Sequence, residues 1–338
     1  GGSFGIKQGL YPYLVLLAAA SRYLGCPLKW VEDRLEHLSA SSSAAARADG
    51  IEAAFDANGM LTALRFRNCV DVGAYVRAPE PASVYRMQAA SNGCYQVRGI
   101  AIENRLVVTN KTPIGLNRGY GGPQFYFGLE RAMEIAARKL KLDPAEIRRR
   151  NFLPASAFPY DAPGGAVYDA GDYGKGLDMA LELAEYPELR ARRDAAKAEG
   201  RLFGIGLAAG VEPSGSNMAY VTLALTPEER AKAGGRSGGL AAASVSIDPS
   251  GAVTVHTDST PAGQGHATVA AQVAADRLGL EPKDIQVITA IDTQNTAWSL
   301  ASGNYSNRFA AIEIGAIAES ADRVANKLRR IAGEMLEV

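Results

Sequence analysis

Apolar and polar positions follow two periods along this chain, and the switches between them mark the elements. QGLYPYLVLLAAASRYLG, residues 8–25, is almost continuously apolar and ends on glycine, which predicts a buried helix closing at Gly25. CPLKWVEDR, 26–34, predicts a strand. Residues 48–73 alternate on both sides of Asp56-Ala57-Asn58-Gly59, the pattern of a β-hairpin. AIENRLVVTN, 101–110, predicts another strand, and FYFGLERAMEIAARKLKL, 125–142, repeats its apolar residues at helical spacing. Asp143-Pro144 opens a short helix. Residues 154–175, rich in Pro, Gly and Tyr, predict a connecting loop, with helices following to about Gly200.

From Leu202 the period shortens. LFGIGLAAGV, NMAYVTLAL, LAAASVSID and AVTVHTD, ending at Asp258, all predict strands, and TPEERAKAGGRSGG, 226–239, a mobile loop. A helix over 265–280, a strand over 283–290 and helix over most of 305–336 complete the pattern. The expected fold is α+β: two α/β-rich domains with mixed sheets, residues 1–185 and 186–338.

Composition narrows the function. Hydrophobic residues make up 47%, enough to fill a core in each domain. Lys plus Arg and Asp plus Glu number 36 each, and this balance gives no reason to expect nucleic acid or an anionic membrane as partner. The longest apolar run, Leu14 to Ala20, is too short to span a bilayer. Cys26, Cys69 and Cys94 are odd in number and widely spaced, which fits reduced thiols in the cytoplasm and excludes an iron–sulfur cluster held by this chain alone. His37, His256 and His266 leave few side chains to hold a metal directly.

The chemistry concentrates in loops. GGSFGIKQ (1–8), NRGYGGPQ (117–124) and PAGQGHATV (261–269) are glycine-rich, and the last two run straight into predicted helices, where free backbone N–H groups favour anions. DTQNTAWSLASGNYSNR (292–308) is dense in short hydrogen-bonding side chains. Lys7 is followed by Gln8, so the first loop is not a P-loop, and GQGHATV lacks the dinucleotide fingerprint. One such loop is more often a tight turn than a site, whereas four together point to a large, phosphate-bearing cofactor bound by backbone and small side chains. The charge run Glu32, Asp33, Arg34 and Glu36 reads as solvated, Arg148–Arg150 as a helix end that favours positive charge, and His266 as a helix cap as readily as a reactive group.

GGSFGIK, PLKWVEDRLEH, NRGYGGPQ, AGQGH and SGNYSNR, in this order, resemble the molybdenum-binding large subunit of the xanthine dehydrogenase/aldehyde oxidase family, the molybdenum hydroxylases, over essentially the whole chain. The resemblance implies that Phe4 and Gly5 lie beside the molybdenum, with Gly119 and Tyr120 walling its other side. Arg118 matches the family's loop arginine, and either a substrate contact or a structural ion pair suits it. Gly263, Gln264 and Gly265 would contact the pterin, and Ser302, Gly303, Asn304 and Ser306 its pterin and phosphate portion. Arg86 stands where purine-oxidising members carry a substrate-binding arginine.

The implied cofactor is molybdopterin, as the cytosine dinucleotide in a bacterium, with the metal held by the cofactor's own sulfurs. The implied partners are 2Fe-2S and FAD domains or subunits, with the remaining segments of the large subunit, in an oligomer. The implied reaction hydroxylates an N-heterocycle or oxidises an aldehyde with water as oxygen source. Gly119 occupies the place of the cysteine of carbon monoxide dehydrogenases, and Gln8 that of an acid in purine-oxidising members, which argues against both substrates. The family's glutamate base is expected beyond the last residue, so the chain reads as an internal piece, inactive alone. The rival readings are a non-catalytic cofactor domain and a nucleotide-binding α/β module.

Overall fold

The computed structural model describes residues 4–7, 11–44, 46–77, 80–215, 226–232, 240–294, 296–298 and 302–337. They form two compact units, one over Gln8–Glu212 and one over Pro213–Val338 together with Gly1–Lys7.

In the first unit, α1 (Pro12–Leu24) starts on a proline and stops at Gly25, whose φ of 67° lies in the left-handed region and whose N–H reaches Ser21 O. The helix is where the sequence puts it, but it is not buried. Leu16 is 67% and Tyr23 89% exposed, and among the described residues no element covers this face. No strand forms over 26–33. Asp33 instead caps α2 (Arg34–Ala40) in a reciprocal box with Glu36, so part of the charge run terminates a helix.

β1 (Ala46–Phe55) and β2 (Leu61–Asp71) make the expected hairpin, and Asp56 Oδ1 accepts from the N–H groups of Asn58 and Met60 to shape its turn. The short helix α3 (Ala82–Ala89) occupies a stretch to which the sequence reading assigned no element. β3 (Gly99–Val107) pairs parallel to β2, giving a mixed sheet. α4 (Gly122–Leu140) lays Phe125, Leu129, Met133 and Ala137 against Leu64 and Phe66 of β2. Each large apolar side chain buried there contributes about 1.5–3 kcal/mol.

α5 (Pro144–Asn151) is capped by Asp143. The loop expected over 154–175 holds a two-residue hairpin, β4 (Tyr160–Asp161) with β5 (Val167–Tyr168). α6 (Tyr173–Leu183) and α7 (Tyr186–Ala198) follow. Residues 202–211 do not make the expected strand. Their backbone groups bond to side chains instead: Arg148 Nη2 donates to Leu207 O (2.7 Å), Ala209 N–H donates to Glu130 Oε2 (3.0 Å), and the Tyr126 hydroxyl donates to Val211 O. With Tyr186, Leu207, Ala209 and Val211 packed on the first core, the first compact unit runs past the division expected at 185/186, as far as Glu212.

In the second unit, residues 227–232 of the expected mobile loop form α8 (Pro227–Lys232), and the strand expected over 217–225 lies outside the described residues. β6 (Ala243–Ile247) pairs antiparallel with β7 (Val253–Thr257), and β8 (Ile285–Ile288) pairs parallel with β7. Both units therefore carry a three-stranded sheet with one antiparallel and one parallel pair, as the α+β expectation requires. α9 (His266–Leu278) and α10 (Ile314–Leu336) cover the second sheet, with Ala270, Ala274 and Ile317 fully buried against Val255. A π-helical turn, Phe309–Glu313, leads into α10.

Candidate cofactor site

The loop 117–124 is a strained turn held from behind. Gly119, Tyr120 and Gly121 have φ of 84°, 32° and 89°, three successive residues in the left-handed region. A Cβ on Gly121 would lie 2.4 Å from Ser83 O, so only glycine fits against α3. The turn closes through Tyr120 N–H to Asn117 O (2.7 Å) and Gly122 N–H to Gly119 O (2.8 Å).

Arg86, on α3, does not present its guanidinium to solvent. It is 3% exposed, and its Nη1 donates to Gly119 O (3.0 Å) and Tyr120 O (3.5 Å) while Nη2 pairs with Glu212. The structure thus joins Arg86 with Gly119 and Tyr120, as a brace on the loop's carbonyls. Beside it, Ser83 donates to Glu80 Oε2 (2.6 Å) and accepts from Arg47. Burial pushes the Glu80 carboxyl up and the Arg47 guanidinium down. Arg118 is exposed and Tyr120 half-buried.

The second unit carries the loops over 261–269 and 292–308. Gly263 and Gly265 have φ of 108° and 84°, and the Gln264 side chain turns back to accept the Ala262 N–H at 2.7 Å. Gly303 has φ of 121°, followed by left-handed Ser306 and Asn307. Behind both loops stands Asp258-Ser259, at the end of β7. Asp258 O accepts the Gly303 N–H (2.9 Å), and its carboxylate accepts from Ser302 Oγ (2.9 Å) and from Arg308 Nη2 (2.7 and 2.8 Å). Arg308 also donates to Leu240 O and pairs with Glu313 at 3.4 Å, and all three charged side chains are fully buried. Burial, then the Asp258 carboxylate, push Glu313 up to about 7 against the pull of Arg308.

Phe4 and Gly5 lie in a turn, both with positive φ, and Phe4 is 59% exposed. Gln8 lies outside the described residues. The sequence reading missed Glu212, Asp258, Ser259, Arg308 and Glu313 as supports of the loops. Arg308 closes the quoted SGNYSNR and Asp258 ends a predicted strand, so a charge ending an apolar run beside a glycine-rich loop was the available signal.

Among the described residues no three His, Cys, Asp or Glu side chains converge as a metal centre. A Cβ on Gly265 or on Gly303 would meet nothing within 4 Å, and the two loops offer backbone amides and short side chains such as Ser302 and Gln264. Such donors fit a pterin or phosphate, groups bound through many short hydrogen bonds.

Two family profiles described as molybdopterin cofactor-binding domain match residues 1–152 and 179–338. The chain belongs to the molybdopterin-binding large-subunit domains of the xanthine dehydrogenase/aldehyde oxidase family. It is 35% identical, over its whole length, to the nicotine 6-hydroxylase large subunit of Paenarthrobacter nicotinovorans, of which it covers 40%. It is 33% identical to the carbon monoxide dehydrogenase large chain of Hydrogenophaga pseudoflava, covering 41% of that protein. Among solved structures, quinoline 2-oxidoreductase from Pseudomonas putida 86 superimposes with a TM-score of 0.84 at 33% identity, over all of this chain and 42% of that one. The chain thus spans about 40% of the length of these relatives.

Proposed function

We propose that this protein forms part of a molybdenum hydroxylase that hydroxylates an N-heterocycle, with aldehyde oxidation as the second reading. The observation that carries the proposal is the pair of braced glycine-rich loop systems, one per cofactor-binding domain, in a chain about one-third identical to a nicotine hydroxylase and a quinoline oxidoreductase. When bound, the molybdenum cofactor supplies the two-electron oxidation and the transfer of a water-derived oxygen. This chain's own residues bind and orient. In the second unit, Gly263, Gln264, Gly265, Ser302, Gly303, Asn304 and Ser306 are assigned to the pterin and its phosphate-bearing end, with Phe4 and Gly5 nearer the metal. The cytosine dinucleotide form is the one proposed.

In the first unit, Gly119 is assigned to the cofactor, and Arg118 and Tyr120 to the substrate together with Gln8. Arg86 fixes the loop that presents them, because its donors are already directed at Gly119 O, Tyr120 O and Glu212. A long cation in a glycine-rich turn can hold a substrate carbonyl, or charge developing there, through paired hydrogen bonds. The electron path is assigned to 2Fe-2S and FAD partners. A cytoplasmic location is supported by the free thiols of Cys26, Cys69 and Cys94.

The test is production of the complete complex in a host that makes the cofactor. Molybdenum, cytidine nucleotide released by acid, and turnover of quinoline- and pyridine-type heterocycles are then measured on one preparation. One molybdenum and one nucleotide per protomer are expected. A correctly assembled complex without either would remove the reading.

A further inference from the structure

The Ser259 hydroxyl meets partners from two different loops, and the Glu313 carboxyl as well. Its Oγ lies 3.1 Å from Gly303 O and 3.1 Å from His266 Nδ1. Gly303 O can only accept, whereas His266 Nδ1 and the Glu313 carboxyl can each take either role towards the same hydroxyl. Burial holds the His266 ring below its ordinary pKa, and it stacks on Phe309 with centroids 3.9 Å apart and planes 5° apart.

His266 is the first residue of α9, directly after Gly263-Gln264-Gly265, and Gly303 sits in the other loop. Ser259 and His266 are both buried. Asp258 ties the same second loop twice more, through its carbonyl to Gly303 N–H and through its carboxylate to Ser302 Oγ. Arg308 holds that carboxylate in place.

We infer that Asp258-Ser259 is a positioning hub that fixes the spacing between the Gly263–Gly265 loop and the Ser302–Asn304 loop, and so the span available to one ligand bridging them. The inference rests on the assignment of both loops to the cofactor. Neither residue is assigned contact with the cofactor; each acts through the loops. Ser259 is the sensitive member, because its single oxygen joins both loops, whereas loss of the Ser302 hydroxyl frees only one.

The test uses the assembled holoenzyme. Ser259→Ala should speed backbone amide exchange of residues 302–306 and of 263–268 together, while β6–β8 and α10 keep wild-type protection. It should also speed release of the bound cofactor, followed as cytidine nucleotide and molybdenum lost on dialysis, by about tenfold, the scale of one or two lost hydrogen bonds. Ser302→Ala should loosen 302–306 alone. If Ser259→Ala leaves both loops at wild-type exchange, or loosens one only, the hub is wrong. Gln264→Ala separates this from failure of the cofactor assignment. If Gln264→Ala releases the cofactor while Ser259→Ala retains it, the hub alone is overturned. If both variants retain it despite loosened loops, the assignment of the loops fails, and the hub's role falls with it.

Discussion

The two units mount their glycine-rich loops with the same tool, a buried arginine, and differ in what balances its charge. In the first unit Arg86 donates to the carbonyls of Gly119 and Tyr120 and pairs with Glu212, whose side chain is 42% exposed. In the second, Arg308 is enclosed with Asp258 and Glu313, both fully buried, and reaches the loop through Asp258. A half-exposed partner can be resolvated when its arginine is lost, and a fully buried one cannot. The first brace is therefore a local adjustment of one turn, and the second is part of the unit's core.

Breaking the second brace should have the largest effect. Arg308→Met leaves two buried carboxylates without their cation, a loss of about 3–5 kcal/mol on the scale of broken buried pairs. Chemical denaturation should show this cost confined to the unit over residues 213–338. A variant as stable as wild type would show that the buried cluster contributes nothing net.

Arg86→Gln should cost much less, about 1–2 kcal/mol, since Glu212 returns to water and only the loop carbonyls lose their donors. Its mark should be catalytic instead: a drop in kcat of the assembled enzyme with molybdenum per protomer near normal. Equal losses of stability in the Arg86 and Arg308 variants would erase the distinction between the two braces.

Arg118→Lys tests the residue that the first brace presents. The charge stays and the planar fork goes, so kcat/KM should fall roughly ten- to a hundredfold with cofactor content unchanged. Falling cofactor content and thermal stability would make Arg118 structural, and unchanged kinetics would remove it from the site.

The smallest effect is a slope. Glu313 is raised from an ordinary 4.5 to about 7, so between these values the folded unit holds a proton that the unfolded chain has released. Its contribution to stability is complete below about 4.5 and is lost as pH rises towards about 7. His266, lowered by burial, works the other way and weakens the fold as pH falls below its ordinary 6.5. Unfolding titrations of wild type and Glu313→Gln should therefore differ by a term that declines from pH 4.5 to 7. Parallel curves would mean that Glu313 takes no proton in this range.

Most helices and the hairpin were legible because their causes are local. Pro12 and Gly25 bound α1, Asp143 caps α5, and Asp56 shapes the turn between β1 and β2. The two expected strands that do not form share one cause. Residues 26–33 and 202–211 have strand-like composition, but strand formation needs a neighbouring edge. The second segment finds Arg148, Glu130 and Tyr126 side chains instead. The candidate site was legible as loops, because positive φ favours glycine, and not as braces.

Residue order alone therefore determined where most of the helices and the hairpin turn begin and end and which loops are glycine-rich, since each depends on neighbours within a few positions. Only the tertiary structure decided what each charge does. Arg86 meets Glu212 across 126 positions and Arg308 meets Asp258 across 50, and no local pattern encodes such pairs. They arise because burying a guanidinium without a carboxylate or carbonyl is too costly, so the fold brings partners to it wherever they lie in the chain.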